Sequence, residues 1–146
     1  MELLSFQDGI SFGTQGNASS YFLRGWASPQ DHEILTWTVE RVAQLQFRAP
    51  GGRGPTGCTV RVLPFLGNGA IPFQDANFYL NGLWFGFTRC TELGDVSFAL
   101  PRDVFNPRQN ILSVVIPTAA SPASLGQSED TRVLGLAFAS IKFSQS

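Results

Sequence analysis

Residues 76–89, ANFYLNGLWFGFTR, set two aromatic-rich runs on either side of a single Asn81-Gly82 pair. Asn-Gly accepts the positive φ that both central residues of a type I′ turn require, and that turn twists in the same sense as the strands it joins. The pair therefore predicts a two-residue β-hairpin. Alternation continues along both arms: Phe78 and Leu80 share a face of the incoming strand, and Leu83, Phe85 and Phe87 share a face of the outgoing one. Strict period two puts Trp84 and Arg89 on opposite faces.

The remaining chain reads in the same way. Candidate strands cover 2–6, 10–12, 21–26, 34–48, 58–66, 96–100, 111–116 and 133–143, separated by Gly-, Pro-, Ser- and Asn-rich loops. Within 34–48, Ala43, Leu45 and Phe47 alternate with Gln44, Gln46 and Arg48, which predicts one half-buried strand. A helix over 38–47 is the alternative, and the β-branched residues at its start disfavour it. The near-continuous apolar run 111–116 predicts a strand buried on both faces. About nine or ten short strands at roughly ten-residue spacing, with no convincing helix, predict an all-β fold. Long loops alternating with tight hairpins favour a two-sheet antiparallel β-sandwich of jelly-roll type, built as a single domain over 1–146.

With 10 basic and 11 acidic residues, a net charge of -1 and only 14% charged residues, the chain lacks the basic footprint that nucleic acid or anionic lipid requires. No run is long and apolar enough for a membrane helix, and the N-terminus lacks the pattern of a signal peptide. The expectation is a soluble chain without membrane insertion, in the bacterial cytoplasm or on a particle surface. Cys58 and Cys90, the only cysteines, fall inside predicted strands and read as two buried free thiols; a bridge would need an oxidising compartment. Asn17-Ala18-Ser19 matches a glycosylation acceptor, a pattern common by chance.

Catalysis lacks its parts. There is one histidine, His32, and no GxSxG, no metal-spaced Cys/His cluster and no glycine-rich strand-to-helix turn. Asp31 and Glu33 beside His32, and Glu129 beside Asp130, read as solvated loop acids rather than a glycosidase pair. A calcium site from Asp8, Asp75, Asp95 or Asp130 has no supporting spacing. The chain is expected to be no enzyme and to use no metal or cofactor.

Carbohydrate binding fits better. Sugar rings offer apolar C–H faces between hydroxyl edges, so a site for them needs exposed Trp or Tyr planes beside polar side chains. Trp26 and Trp84 are candidate platforms, with His32, Glu33, Arg89, Asp130 and Arg132 as polar partners. A Trp in a β-sandwich is more often core, so for Trp26, Trp37 and Trp84 the packing reading stands beside the platform reading. For Arg132 a loop ion pair stands beside ligand contact.

Residues 25–30 (GWASPQ), 36–38 (TWT), 63–66 (LPFL), the Asn81-Gly82 hairpin and 121–136 (SPASLGQSEDTRVLGL) resemble a jelly-roll accessory domain associated with bacterial glycosyltransferases and cell-envelope polysaccharide proteins. The similarity runs from about Tyr21 to Phe143 and is most specific over 121–136. The chain departs from the pattern with Gln30 and Asp31-His32, where that family has an acid and then a second aromatic. The resemblance implies a carbohydrate-binding-like sandwich. The first expectation is thus a non-catalytic domain recognising bacterial surface or capsular polysaccharide, as a module beside an enzyme or a receptor-binding part of a phage-like particle. The second is a structural sandwich that packs against a protein partner or assembles as a homo-oligomer.

Overall fold

The computed structural model describes residues 1–145. Ten strands follow one another: β1 (Ile10–Ser11), β2 (Phe22–Arg24), β3 (Thr36–Trp37), β4 (Val42–Phe47), β5 (Gly57–Pro64), β6 (Gln74–Leu80), β7 (Leu83–Cys90), β8 (Gly94–Ala99), β9 (Asn110–Val115) and β10 (Leu136–Ser144). One five-stranded sheet runs β1-β10-β5-β8, with β3 also paired to β10; the second runs β2-β4-β9-β6-β7. All these strand pairs are antiparallel. The result is an all-β, two-sheet antiparallel sandwich of jelly-roll type, with three short 3-10 turns as its helical content among the described residues.

Alternating positions fill the space between the sheets, as the pleat dictates. Cys58, Val60 and Val62 of β5 and Leu136, Phe138 and Ile141 of β10 meet Ala43, Leu45 and Phe47 of β4, Leu112 and Val114 of β9, and Ala76, Phe78 and Leu80 of β6, all buried. Both cysteines are free and buried, and burial pushes the Cys58 thiol up to about 12.

Four expectations need correcting. The single strand over 34–48 is two strands in different sheets: β3 pairs with β10, and β4 pairs with β9 and β2. Buried Thr38 makes the crossing, its N–H bonding to Leu136 O at 2.8 Å and its hydroxyl accepting from Leu136 N at 3.1 Å. Strand β9 is buried on one face only, with Ile111, Ser113 and Val115 half-buried on the other. Residues 2–6 form no strand: Leu3 makes an isolated parallel bridge to Arg48. The fourth correction concerns β7. Tyr79 pairs with Trp84 and Phe78 with Gly86, so Phe85 is a bulge residue without a partner across the pair.

Candidate functional site

The hairpin turn forms as its sequence dictates, with φ 52° at Asn81 and 81° at Gly82. Asn81 also anchors the tip, its side-chain amide donating to Val104 O and Asn110 Oδ1, both at 2.9 Å. From that fixed tip the bulge at Phe85 changes the parity of β7. Phe85 turns toward Phe78 and Phe98, with ring centroids 6.0 and 5.7 Å away. Trp84, Phe87 and Arg89 then all stand opposite the outward residues of β6: Trp84 with Tyr79, Phe87 with Asn77, and Arg89 with Asp75. Trp84 and Arg89 therefore share a face, which corrects the expectation drawn from strict alternation.

That outer face is a sheet surface with a composed pattern. One cross-strand row reads Gln44, Ser113, Tyr79, Trp84, and the next reads Val42, Val115, Asn77, Phe87. Trp84 is 56% exposed and Phe87 47% exposed. The Trp84 indole N–H donates to Asn77 Oδ1 at 3.1 Å, which ties the ring to the neighbouring strand. In the same row Gln44 donates to the Ser113 hydroxyl at 3.1 Å. At the far end Arg89 holds Asp75 through two bonds of 2.8 and 3.0 Å and lies 3.7 Å over the Phe73 ring. Those hydrogen bonds hold the Asp75 carboxyl below the ordinary carboxylate range and raise Arg89.

The other sequence candidates fall elsewhere. Trp26 packs into the aromatic core: it stacks on Phe22 at 5.4 Å with an 11° interplanar angle, touches Phe12 and Phe138, and donates its indole N–H to Gln44 O at 2.9 Å. Its rings are occupied by neighbours, so packing and not a platform describes it. Trp37 stands edge-on to Phe65. His32, Glu33, Asp130 and Arg132 sit in end loops. Arg132 grips Asp130 through Nε and Nη2 and reaches Asp31 Oδ2 at 3.3 Å, which lowers the Asp130 carboxyl. Arg132 thus joins the β2–β3 and β9–β10 loops. The exposed His32 uses Nδ1 to accept from Ile34 N and Leu35 N, and the Glu33 carbonyl accepts from the Thr14 hydroxyl. Among the described residues, no hydrogen bond, ion pair or ring contact joins this loop cluster to Trp84.

Sequence reasoning missed Asn77, Tyr79, Gln44 and Phe73. The first two were marked by the alternation of β6, and the missing signal was the bulge that turns Trp84 toward them. The sequon is also resolved: Asn17 Nδ2 donates to Gly9 O at 3.1 Å and Oδ1 accepts from Ser11 N, so the side chain is a loop clasp. Among the described residues no three His, Cys, Asp or Glu side chains come together as a metal-binding group.

No protein-family model matches the chain, and no curated protein matches it in sequence. Solved structures match it in fold. The module CsCBM6-3 from Clostridium stercorarium in complex with cellobiose superposes with TM-score 0.55 at 13% identity, over 100% of this chain and 98% of that one. A family 6 carbohydrate-binding module from Clostridium cellulolyticum in complex with xylose gives 0.54 at 13% identity, over 97% and 100%. A CBM36 module in complex with calcium and xylotriose gives 0.50 at 11% identity, over 87% and 96%. This chain has the sandwich fold of those modules.

Proposed function

We propose that the chain is a non-catalytic carbohydrate-binding domain whose outer β4-β9-β6-β7 face holds an oligosaccharide on Trp84 and Tyr79. The carrying observation is a half-exposed indole, fixed by Asn77 in a row of polar side chains on an open sheet. An aromatic plane held in one orientation loses little entropy when a sugar ring stacks on it; Asn77 beside it, and Ser113, Gln44 and Gln46 on the strands beyond, offer partners for sugar hydroxyls along the face. Solved neighbours of the same fold that carry cellobiose, xylose and xylotriose support the class of ligand. A shared fold does not bring a site with it, so the weight rests on this chain's own face. For the ligand's source we propose bacterial surface or capsular polysaccharide, where repeated epitopes and several copies of the domain would raise a weak single-site affinity.

The test is tryptophan fluorescence and calorimetric titration with cello- and xylo-oligosaccharides and with bacterial capsular polysaccharides. Trp84→Ala should weaken binding by ~2 kcal/mol, about 30-fold. Silence from folded protein at millimolar sugar would sink the proposal. A second reading has its own observation: β7 is an edge strand, and Leu83 at 53% and Leu93 at 46% exposure extend its apolar surface beyond the platform. Assembly with a protein partner or a second copy through β7 predicts a stable oligomer by light scattering, which Phe87→Glu dissolves.

A further inference from the structure

At the end of the sandwich that carries the hairpin tip, the β4–β5 and β8–β9 loops enclose a cavity of about 570 Å³. It is lined by Gly52, Arg53, Gly54 on one side and Arg102, Asp103 and Phe105 on the other. That volume lies within the ~300–1,000 Å³ range of small-ligand pockets. The Asp31, Asp130 and Arg132 cluster belongs to the opposite end, and Trp84 to the sheet face, so neither belongs to this cleft.

The walls are held while their tips are free. Leu100 N bonds to Thr56 O and Thr56 N to Ser144 O, both at 2.9 Å, and Gln145 donates to Gly54 O. Val104 O is fixed by Asn81, and the Phe105 ring packs on Phe6 at 4.8 Å and Phe47 at 6.3 Å. Gly54 lies so close to that ring that an added Cβ would come within 2.7 Å of it. Between these anchors, Arg53, Arg102 and Asp103 are exposed.

Their charges are unspent. Among the described residues, Arg24, Arg61, Arg89 and Arg132 make ion pairs and Arg48 bonds to Met1 O. Arg41, Arg53, Arg102 and Arg108 make no such contact, and two of these four line this one cavity, one from each loop. Asp103 holds φ 55°, in the left-handed region that Asp tolerates in turns. The other non-glycine residues at positive φ are Asn68 and Asn81, and Asn81 fills a turn position that requires it. Asp103 has no hydrogen bond or ion pair among the described residues.

We infer that this cleft binds an acidic sugar, a glycan unit bearing a carboxylate, with Arg53 and Arg102 on the carboxylate and Asp103 accepting from its hydroxyls. Guanidinium forks match a carboxylate in geometry as well as charge. The half-buried Phe105 ring supplies an apolar floor for a C–H face. A lone anion would use the arginines and be repelled by Asp103; a sugar acid uses all three. The site is separate from the sheet face, and its test keeps the two apart.

Calorimetric titration of the full chain with trigalacturonic acid is the experiment, beside neutral galactotriose and inorganic phosphate at matched ionic strength. Saturable binding of the acidic trisaccharide, no heat from the neutral one and no competition by phosphate are expected. Arg53→Ala and Arg102→Ala should each weaken it roughly tenfold, and Asp103→Asn should weaken it less. Trp84→Ala should leave it unchanged, and circular dichroism should show all variants folded, since these side chains are exposed. Absence of binding, unaltered affinity in the double arginine variant, displacement by phosphate, or loss in Trp84→Ala would each overturn the inference.

Discussion

Two tryptophans of one chain sit in opposite surroundings. Trp26 is wedged among Phe12, Phe22 and Phe138 with its N–H satisfied by a backbone carbonyl. Trp84 has water over half its surface and makes one side-chain hydrogen bond. Trp26→Ala should therefore destabilise the fold by ~3 kcal/mol, read from the denaturant midpoint, whereas Trp84→Ala should stay within ~0.5 kcal/mol. Equal costs would mean that the indole at 84 is structural. The Asp75–Arg89 pair predicts a pH effect. Asp75 is held below its ordinary value of 3.8, so the unfolded chain takes up the proton first. The stability from the pair is complete above that value and is lost as the pH falls through the lower folded value. Arg89→Ala should move the Asp75 titration, followed by NMR, up toward the ordinary value and flatten the acid limb of the stability curve.

At the scale of the element, the two glycines of the β6–β7 hairpin are required for different reasons. Gly82 holds φ 81° with open space around its Cα, so Gly82→Ala should cost only the backbone strain, ~1 kcal/mol. Gly86 sits under Phe98, where an added Cβ would clash with the ring, so Gly86→Ala should cost more, ~2–3 kcal/mol, by displacing a half-buried aromatic that packs on the core. Thermal melts of both variants test the order, and the reverse order would contradict the packing at Phe98. The first glycine was legible from the Asn-Gly dipeptide, and the second was not. That contrast holds across the molecule. Alternation and turn chemistry reveal where strands lie, because both are local. Bulges at Leu23, Phe85 and Ala139 shift the register between neighbours, and they depend on which residue the partner strand presents. Strict counting therefore put Trp84 on the wrong side of Arg89. Crossing between sheets at Thr38 was hidden for the same reason: a threonine in a β-branched run gives no sign that its hydroxyl and N–H are both claimed by Leu136.

The whole molecule depends on β10. β10 pairs with β5 along its length, with β3 near its start and with β1 at its middle, so it holds together three segments from the first half of the chain. The bulge at Ala139 lets Leu136, Phe138 and Ile141 all point inward although their spacing breaks period two, and each is at most 1% exposed. Burying three such side chains contributes roughly 5–9 kcal/mol, comparable with the ~5–15 kcal/mol net stability of an ordinary domain. Removing β10 also strips β5 of one of its two ladders and leaves β1 and β3 without a sheet. A chain stopped after Val133 should therefore show no cooperative thermal transition by circular dichroism, and a peptide of residues 134–145 added in trans should restore one. A truncated chain that melts cooperatively by itself would mean that the β2-β4-β9-β6-β7 sheet folds without its partner. The Trp84 face would then be available before the sandwich closes, and sugar binding by the truncated chain would report it.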